Sequence, residues 1–377
     1  MMTTTPRIAV LGAGYTGVAA AKLLARRTGA EVTVVNNRDR FAERMRNHQL
    51  ASGQKVRHLP LRELFDGTGV RLIIDRVARV DPERRRVELA GAEPVPYDLL
   101  VYALGSHADL DAVPGAAEHA YAVADAERAE RLRDQVRTAG TIAVIGAGPT
   151  GLETATELAE THPDRTVRLV TSGALGEQLS ERGREHLRRA VDRLGIQVWE
   201  HARVAKVDAG GVLLENGERV DADTVAWTAG FGVPDLAREA GLAVDARGRM
   251  LVDGTLRSQS HPDVYGIGDA AAAHTQGGHV LRMGCGPGNL AAACAYHAIS
   301  ARMAGRDPKP LRVRVDALCI SLGRWDGVLQ PVDLDGNPHG KVRTGRPVAL
   351  IKKGVLGVTG WHALRHPALV AAGARQG

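Results

Sequence analysis

Six glycines carry the first chemical signal in this chain of 377 residues. Gly12, Gly14 and Gly17 stand in "GAGYTG", and Gly146, Gly148 and Gly151 stand in "GAGPTG" around Thr150. At this spacing the first glycine permits a tight turn and the second lets backbone approach a pyrophosphate. The third lets a helix lie close to a strand. The free N–H groups at the helix start then attract the phosphates. Ala21 and Ala155 are the small residues expected one turn further on. Each copy reads as a dinucleotide site. Such sites also use an Asp or Glu after the second strand to bind ribose hydroxyls. Asn36 and Thr171 stand there instead, followed in the second copy by Ser172 and, downstream, Arg182. Asn36 can still bond a hydroxyl, without charge. The lack of a carboxylate at Thr171 leans the second site toward NADPH or toward use of both nicotinamides, although Arg182 also reads as a surface helix residue.

A third signal is "HPDVYGIGDA" at 261–270. A strand ending at Gly268 lets Asp269 reach a ribityl hydroxyl of a flavin; the plainer reading is a strand followed by an Asp helix cap.

The elements that must position these residues form a repeat. Residues 7–11, 15–27 and 31–36 read as strand, helix and strand, and 141–145, 150–161 and 166–171 repeat that plan. Residues 70–81, 85–91 and 97–106 read as β-rich, 119–140 as helical and 180–195 as a long amphipathic helix. Each unit closes with a strand running into Ala and Gly: Ala103 and Gly105, then Ala229 and Gly230. A helix over 287–305 has Pro287 in its first turn. Short strands and turns, including "VALIKKGVLGVTGW", are expected over 306–377.

Composition narrows the class. The hydrophobic fraction is 44% and the charged fraction 24%, as in ordinary globular proteins. The net charge of +6 is scattered, with no basic run interleaved with aromatics, so no nucleic-acid partner is expected. A basic face still suits an acidic redox protein. Cys285, Cys294 and Cys319 form no CxxC or CxxxxC pair, which fits a reducing cytoplasm, and Cys285 reads as a buried small residue. The first strand is expected near Arg7, which leaves no room for a signal peptide, and no apolar run approaches the roughly 18 residues of a membrane span. The histidines show no metal-ligand grouping, so no metal is expected.

Two G-x-G-x-x-G units, "YDLLVYALG", "ADTVAWTAG" and the late "GIGDA" together resemble the two-dinucleotide-binding-domain flavoproteins over about residues 7–305. The resemblance implies an α/β fold of two Rossmann-like domains, for FAD and for NADH or NADPH, plus a small C-terminal α+β domain. It divides the chain into an FAD domain at 1–118 and 246–305, an NAD(P)H domain at 119–245 and an interface domain at 306–377. Within that superfamily the chain looks most like the type II NADH dehydrogenases and apoptosis-inducing-factor-like oxidoreductases. Their quinone-site glutamine pattern is not matched by "CGPGNLAAACA".

The resemblance also implies site residues. Glu153, in "GLE", would lie near flavin and nicotinamide. Arg46, His48 and Gln49 would pass beside the isoalloxazine, with His48 a candidate proton donor. The helix starting near Pro287 and Asn289 would turn its positive end to the flavin. Lys352 and Lys353 read as solvent residues. The expected activity is electron transfer from NAD(P)H through FAD to a quinone-like small molecule, without a redox disulfide. The alternatives are a ferredoxin or rubredoxin reductase, a tailoring enzyme of secondary metabolism, and a redox-signalling flavoprotein. A homodimer and a peripheral membrane association stay open.

Overall fold

The computed structural model describes residues 5–275, 277–312, 316–333, 335–354 and 364–367. Two parallel sheets of five strands organise it. The first runs Val264–Gly266, Leu99–Tyr102, Arg7–Leu11, Glu31–Asn36, Val70–Ile74. The second runs Gln197–Trp199, Thr166–Val170, Thr141–Ile145, Thr224–Trp227, Ala120–Ala122. Parallel strands covered on both faces need unbroken apolar runs. Ile8 to Leu11 and Ile142 to Ile145 supply them, and all eight residues are buried.

Helices cover these sheets through small side chains. The first fingerprint helix, Tyr15–Arg27, buries Val18, Ala19, Ala20, Ala21, Leu23 and Leu24 and packs on the long late helix Cys285–Met303. That helix is apolar on several sides, with Ala291, Ala292, Ala295 and Ala298 buried, as expected of a core helix. The second fingerprint helix, Pro149–Thr161, packs instead against a three-stranded antiparallel sheet of Asp316–Ser321, Gly327–Val332 and Arg343–Thr344.

One expectation is refined and another changes. The stretch 70–81 is two strands, Val70–Ile74 in the parallel sheet and Val77–Asp81 in an antiparallel one. Asp75 breaks it, accepting from Arg76 N at 2.7 Å and Gly91 N at 2.9 Å. The segment Arg346–Gly354 is a helix where short strands were expected. Pro347 suits a first helical turn, and Val348 and Ala349 form its buried face. Residues 355–361 of that stretch lie outside the described residues. Among the described residues no helix is long and apolar enough to cross a membrane.

Candidate active site

The two glycine motifs have the same geometry. Gly12 and Gly146 adopt φ of +95° and +101°. A Cβ on Gly12 would lie 2.5 Å from Ala103 O, and one on Gly17 or Gly151 would overlap the carbonyl oxygen of its own motif's first glycine. Gly14 and Gly148 differ: nothing lies within 4 Å of a Cβ built there. The first and third glycines are thus demanded by packing, while the second opens onto free space. Neither fingerprint helix carries a side-chain cap, so its leading N–H groups are available to an anion.

That space is a cavity of about 1000 Å³, at the upper end for small-molecule sites. Gly12, Gly14, Asn36, His48, Ala103, Gly105, Gly148, Thr150, Glu153, Gly268 and Asp269 line it. Asp269 accepts from Ser106 Oγ at 2.7 Å and from Gly284 N at 2.9 Å. A carboxylate has about four lone-pair sites, so capacity remains for a ligand hydroxyl. Gly284 lines the cavity as the cap of the late helix, which carries no acid in its first turn. Its positive end therefore opens toward the cavity. The open second glycines, uncapped helix starts and spare acceptor capacity of Asp269 fit FAD and a nicotinamide dinucleotide.

Other expected residues lie elsewhere. Arg46 donates to Gln49 Oε1 at 2.8 Å and pairs with Glu43 at 3.3 Å, and neither Arg46 nor Gln49 lines the cavity. Arg44 does: it donates to Ser106 O at 2.7 Å and Oγ at 3.0 Å. Arg44 and Arg46 share a single 3₁₀ turn, whose three residues per turn point them to different sides. Pro287 borders a small hollow with Gly268 and Asp269, and Asn289 is half-buried outside the cavity lining. Thr171, Ser172, Arg182, Ala229 and Gly230 also lie off the lining, with Ser172 and Arg182 exposed. The side chain of Cys285 lies outside the described residues.

A carboxylate lies near each of the two positions, and only that of Asp125 lines the cavity. Asn36 is occupied with its own loop, accepting from Ala13 N at 2.9 Å and donating to Arg38 O at 2.8 Å. Asp125, from the second unit, lines the cavity there and pairs with Arg38 at 3.0 Å. In the second copy the carboxylate of Glu177 folds over Gly173, directly after Ser172. Neither acid follows the expected spacing. Their only sequence signal is position in the loops after the strands.

The cavity's far wall holds its strongest electrostatics. Lys352, expected in solvent, is instead half-buried: its Nζ donates to Glu153 Oε1 and to Cys319 O. Ser321 adds bonds from N at 3.1 Å and Oγ at 3.3 Å to the same oxygen. Glu153 Oε2 faces His48 Nδ1 at 3.8 Å. Burial alone would raise the Glu153 carboxyl, but the Lys352 charge and hydrogen bond, with the Ser321 N–H, outweigh it and hold Glu153 below the usual range. Burial lowers His48 to about 4 despite Glu153, so its imidazole is neutral. His48 Nε2 finds no hydrogen-bond partner among the described residues. Lys353 is exposed, with Nζ 3.8 Å from the Trp325 ring.

Two parallel nucleotide-type sheets meeting over one cavity define the class. Residues 6–295 match the pyridine nucleotide-disulphide oxidoreductase family, and the chain belongs to it. It is an FAD- and NAD(P)H-type oxidoreductase of that family. Over 306 residues it is 31% identical to an NADH dehydrogenase-like protein of Mycobacterium tuberculosis, covering 74% of this chain and 76% of the relative. It is 26% identical over 361 residues to a demethylphylloquinone reductase of Synechocystis, covering 87% of each. The fold matches the sulfide:quinone oxidoreductase of Aquifex aeolicus with a TM-score of 0.82 at 18% identity, covering 96% of this chain and 92% of that one.

Proposed function

We propose that the protein oxidises NADH, through FAD, and passes two electrons directly to a small quinone-like acceptor. The observation that carries this reading is one shared cavity: both glycine motifs, Asp269 and the Glu153–Lys352 pair all line it. The chain has no cysteine pair at redox spacing to take electrons onward. Names among its relatives point the same way, since one reduces demethylphylloquinone.

Bound along the first motif, FAD would supply the two-electron redox chemistry, accepting hydride and releasing electrons. Gly12, Gly14 and the N–H groups after them would hold its pyrophosphate, and Asp269 a ribityl hydroxyl. Gly148 and Thr150 would hold the pyrophosphate of the nicotinamide dinucleotide. Glu153, fixed by Lys352 and Ser321, would orient the groups that meet at the wall. Leu318 and Val332 line the same region and would exclude water. His48 would present Nε2 as a neutral hydrogen-bonding group, and its low pKa removes it as the store of an acidic proton. Glu177 beside Gly173 shifts the nucleotide choice toward NADH, because a carboxylate there repels a 2′-phosphate.

The test is anaerobic titration of the purified holoenzyme with NADH and with NADPH, followed by a water-soluble quinone. Bleaching of the flavin band by NADH and recovery with quinone is the expected result. Bleaching without recovery, or recovery only with an acidic redox protein in a salt-sensitive manner, would overturn the acceptor.

A further inference from the structure

The second fingerprint helix carries Glu153, Glu157 and Glu160 at intervals of four and three residues, the spacing that stacks side chains along one helix face. Glu153 lines the cavity. Glu160 accepts from the backbone of Arg324 in the loop after Ser321. Glu157 lies between them with its side chain 2% exposed. Gln54 Nε2 donates to Glu157 Oε1, and Arg324 Nη1 donates to Gln54 Oε1 while lying 3.6 Å from Glu157 Oε1. The Arg324 side chain is 43% exposed. Glu157 is therefore one side chain from solvent and one helical turn, about 5.4 Å, from Glu153.

The proposed reaction has a proton to place there. In NADH + H⁺ + acceptor → NAD⁺ + acceptor-H₂, the hydride supplies two electrons and one proton's worth of hydrogen. The second proton must come from water. Glu153 and His48 do not store it near neutral pH, since Glu153 is held ionised and His48 neutral. We propose that Glu157 relays this proton from solvent at Arg324 to Glu153, whose Oε2, the oxygen not taken by Lys352 and Ser321, passes it to the cavity. The kinetic part rests on the quinone-like acceptor proposed above.

The surroundings of Glu157 suit the task. Burial raises its carboxyl; Arg324 opposes this, Glu160 and Glu153 add to it, Lys353 opposes it, and the result is about 7. The other charged groups on packed elements are His48 on the helix Asn47–Ala51, Lys352 on the helix Arg346–Gly354, and Arg168 on the strand Thr166–Val170. Arg168 is turned away to Gln197 and Asp221 O. The strand Thr141–Ile145 carries no charge.

Infrared titration of the holoenzyme tests the relay directly. A protonated-carboxyl band lost near pH 7 is expected in the wild type and absent in Glu157→Gln, which keeps an acceptor for Gln54. In stopped flow, Glu157→Gln should keep bleaching by NADH within about twofold but slow reoxidation by quinone about tenfold below pH 7. Wild-type reoxidation should fall as pH rises through 7, where the carboxyl ionises, and the variant should be flat. Arg324→Gln removes a cation and should move that inflection up by roughly one pH unit. A titrating band that survives Glu157→Gln, or reoxidation with an unchanged pH profile, overturns the relay. If quinone fails to reoxidise even the wild type, the acceptor reading falls. The infrared band then decides alone, its loss in the variant supporting proton exchange at Glu157 and its survival refuting it.

Discussion

The two fingerprint units share their backbone and differ in what lies on their helices. The first helix packs through small apolar residues onto the late helix Cys285–Met303, and its buried charge is Lys22, which donates to Leu364 O at 2.7 Å. The second helix turns Glu153, Thr156, Glu157 and Glu160 toward the C-terminal sheet and its loops. The first helix places a lysine in its packing interface, whereas the second carries a row of carboxylates, of which Glu153 lines the cavity.

The shared part of that comparison breaks most violently at the third glycine. Gly17→Ala drives a Cβ into the Gly12 carbonyl, which is backbone and cannot yield without moving the helix off the sheet. We expect a loss of about 4 kcal/mol in unfolding free energy, read by thermal or urea unfolding, and Gly151→Ala should match it. Gly14→Ala places its Cβ in open space at an ordinary extended backbone. It should leave unfolding of the cofactor-free chain within about 0.5 kcal/mol of wild type. FAD retention should nonetheless fall about tenfold, because the methyl occupies the approach of the pyrophosphate. Equal stability losses for Gly14→Ala and Gly17→Ala would contradict the division between packing and ligand glycines.

The unshared part breaks at Glu153. Glu153→Gln takes from the half-buried Lys352 ammonium, beside Cys319 O, the carboxylate it donates to. Removing one partner of a fully buried pair costs about 3 kcal/mol; with Lys352 half-buried, unfolding should show a loss of about 2 kcal/mol. Replacing both residues, as Glu153→Gln with Lys352→Met, should recover most of that loss, since no isolated charge remains. Activity should recover little, because the orienting carboxylate is still absent. A double variant no more stable than Glu153→Gln alone would deny the pair its electrostatic role.

How far these features could be read in advance depends on how local their cause is. The glycine motifs, the parallel strands and the Asp269 turn rest on interactions within a few residues or on apolar runs, and these are legible. Lys352 was not, because its partner lies 199 positions away and "ALIKKG" reads as an ordinary basic surface segment. Arg44 and Arg46 look equivalent in the chain; only a short 3₁₀ turn separates their directions. Period-two and period-3.6 patterns also cannot be told apart in a run as short as Arg346–Gly354. Asp125 and Glu177 were not legible because they sit in loops, where position carries no periodic signal.

Those two acids sharpen the comparison at smaller scale. In the second unit, Glu177→Gln removes the negative charge over Gly173. NADH and NADPH should become nearly equal donors, a change of about tenfold or 1.4 kcal/mol in the ratio of their kcat/KM values. Glu177 is exposed, so stability should be unaffected. An unchanged ratio would return the choice of nucleotide to other residues.

Asp125→Asn should have the smallest effect, for reasons visible in its bonds. Asp125 Oδ1 caps the helix Ala126–Val136 by accepting from Arg128 N at 2.9 Å, and Asn caps equally well. Its other oxygen pairs with Arg38, which keeps Glu127 at 2.7 Å as a second partner. The lost quantity is therefore one half-exposed ion pair, about 0.5 kcal/mol, together with a charged acceptor on the cavity lining. FAD affinity, measured by fluorescence quenching on reconstitution, should weaken about threefold to fivefold, with no change in the NADH-to-NADPH ratio. If Asp125→Asn instead left FAD affinity untouched while Asn36→Ala reduced it, the ribose would be read by Asn36. The two fingerprints would then differ in chemistry at this position, one using an amide and the other a carboxylate.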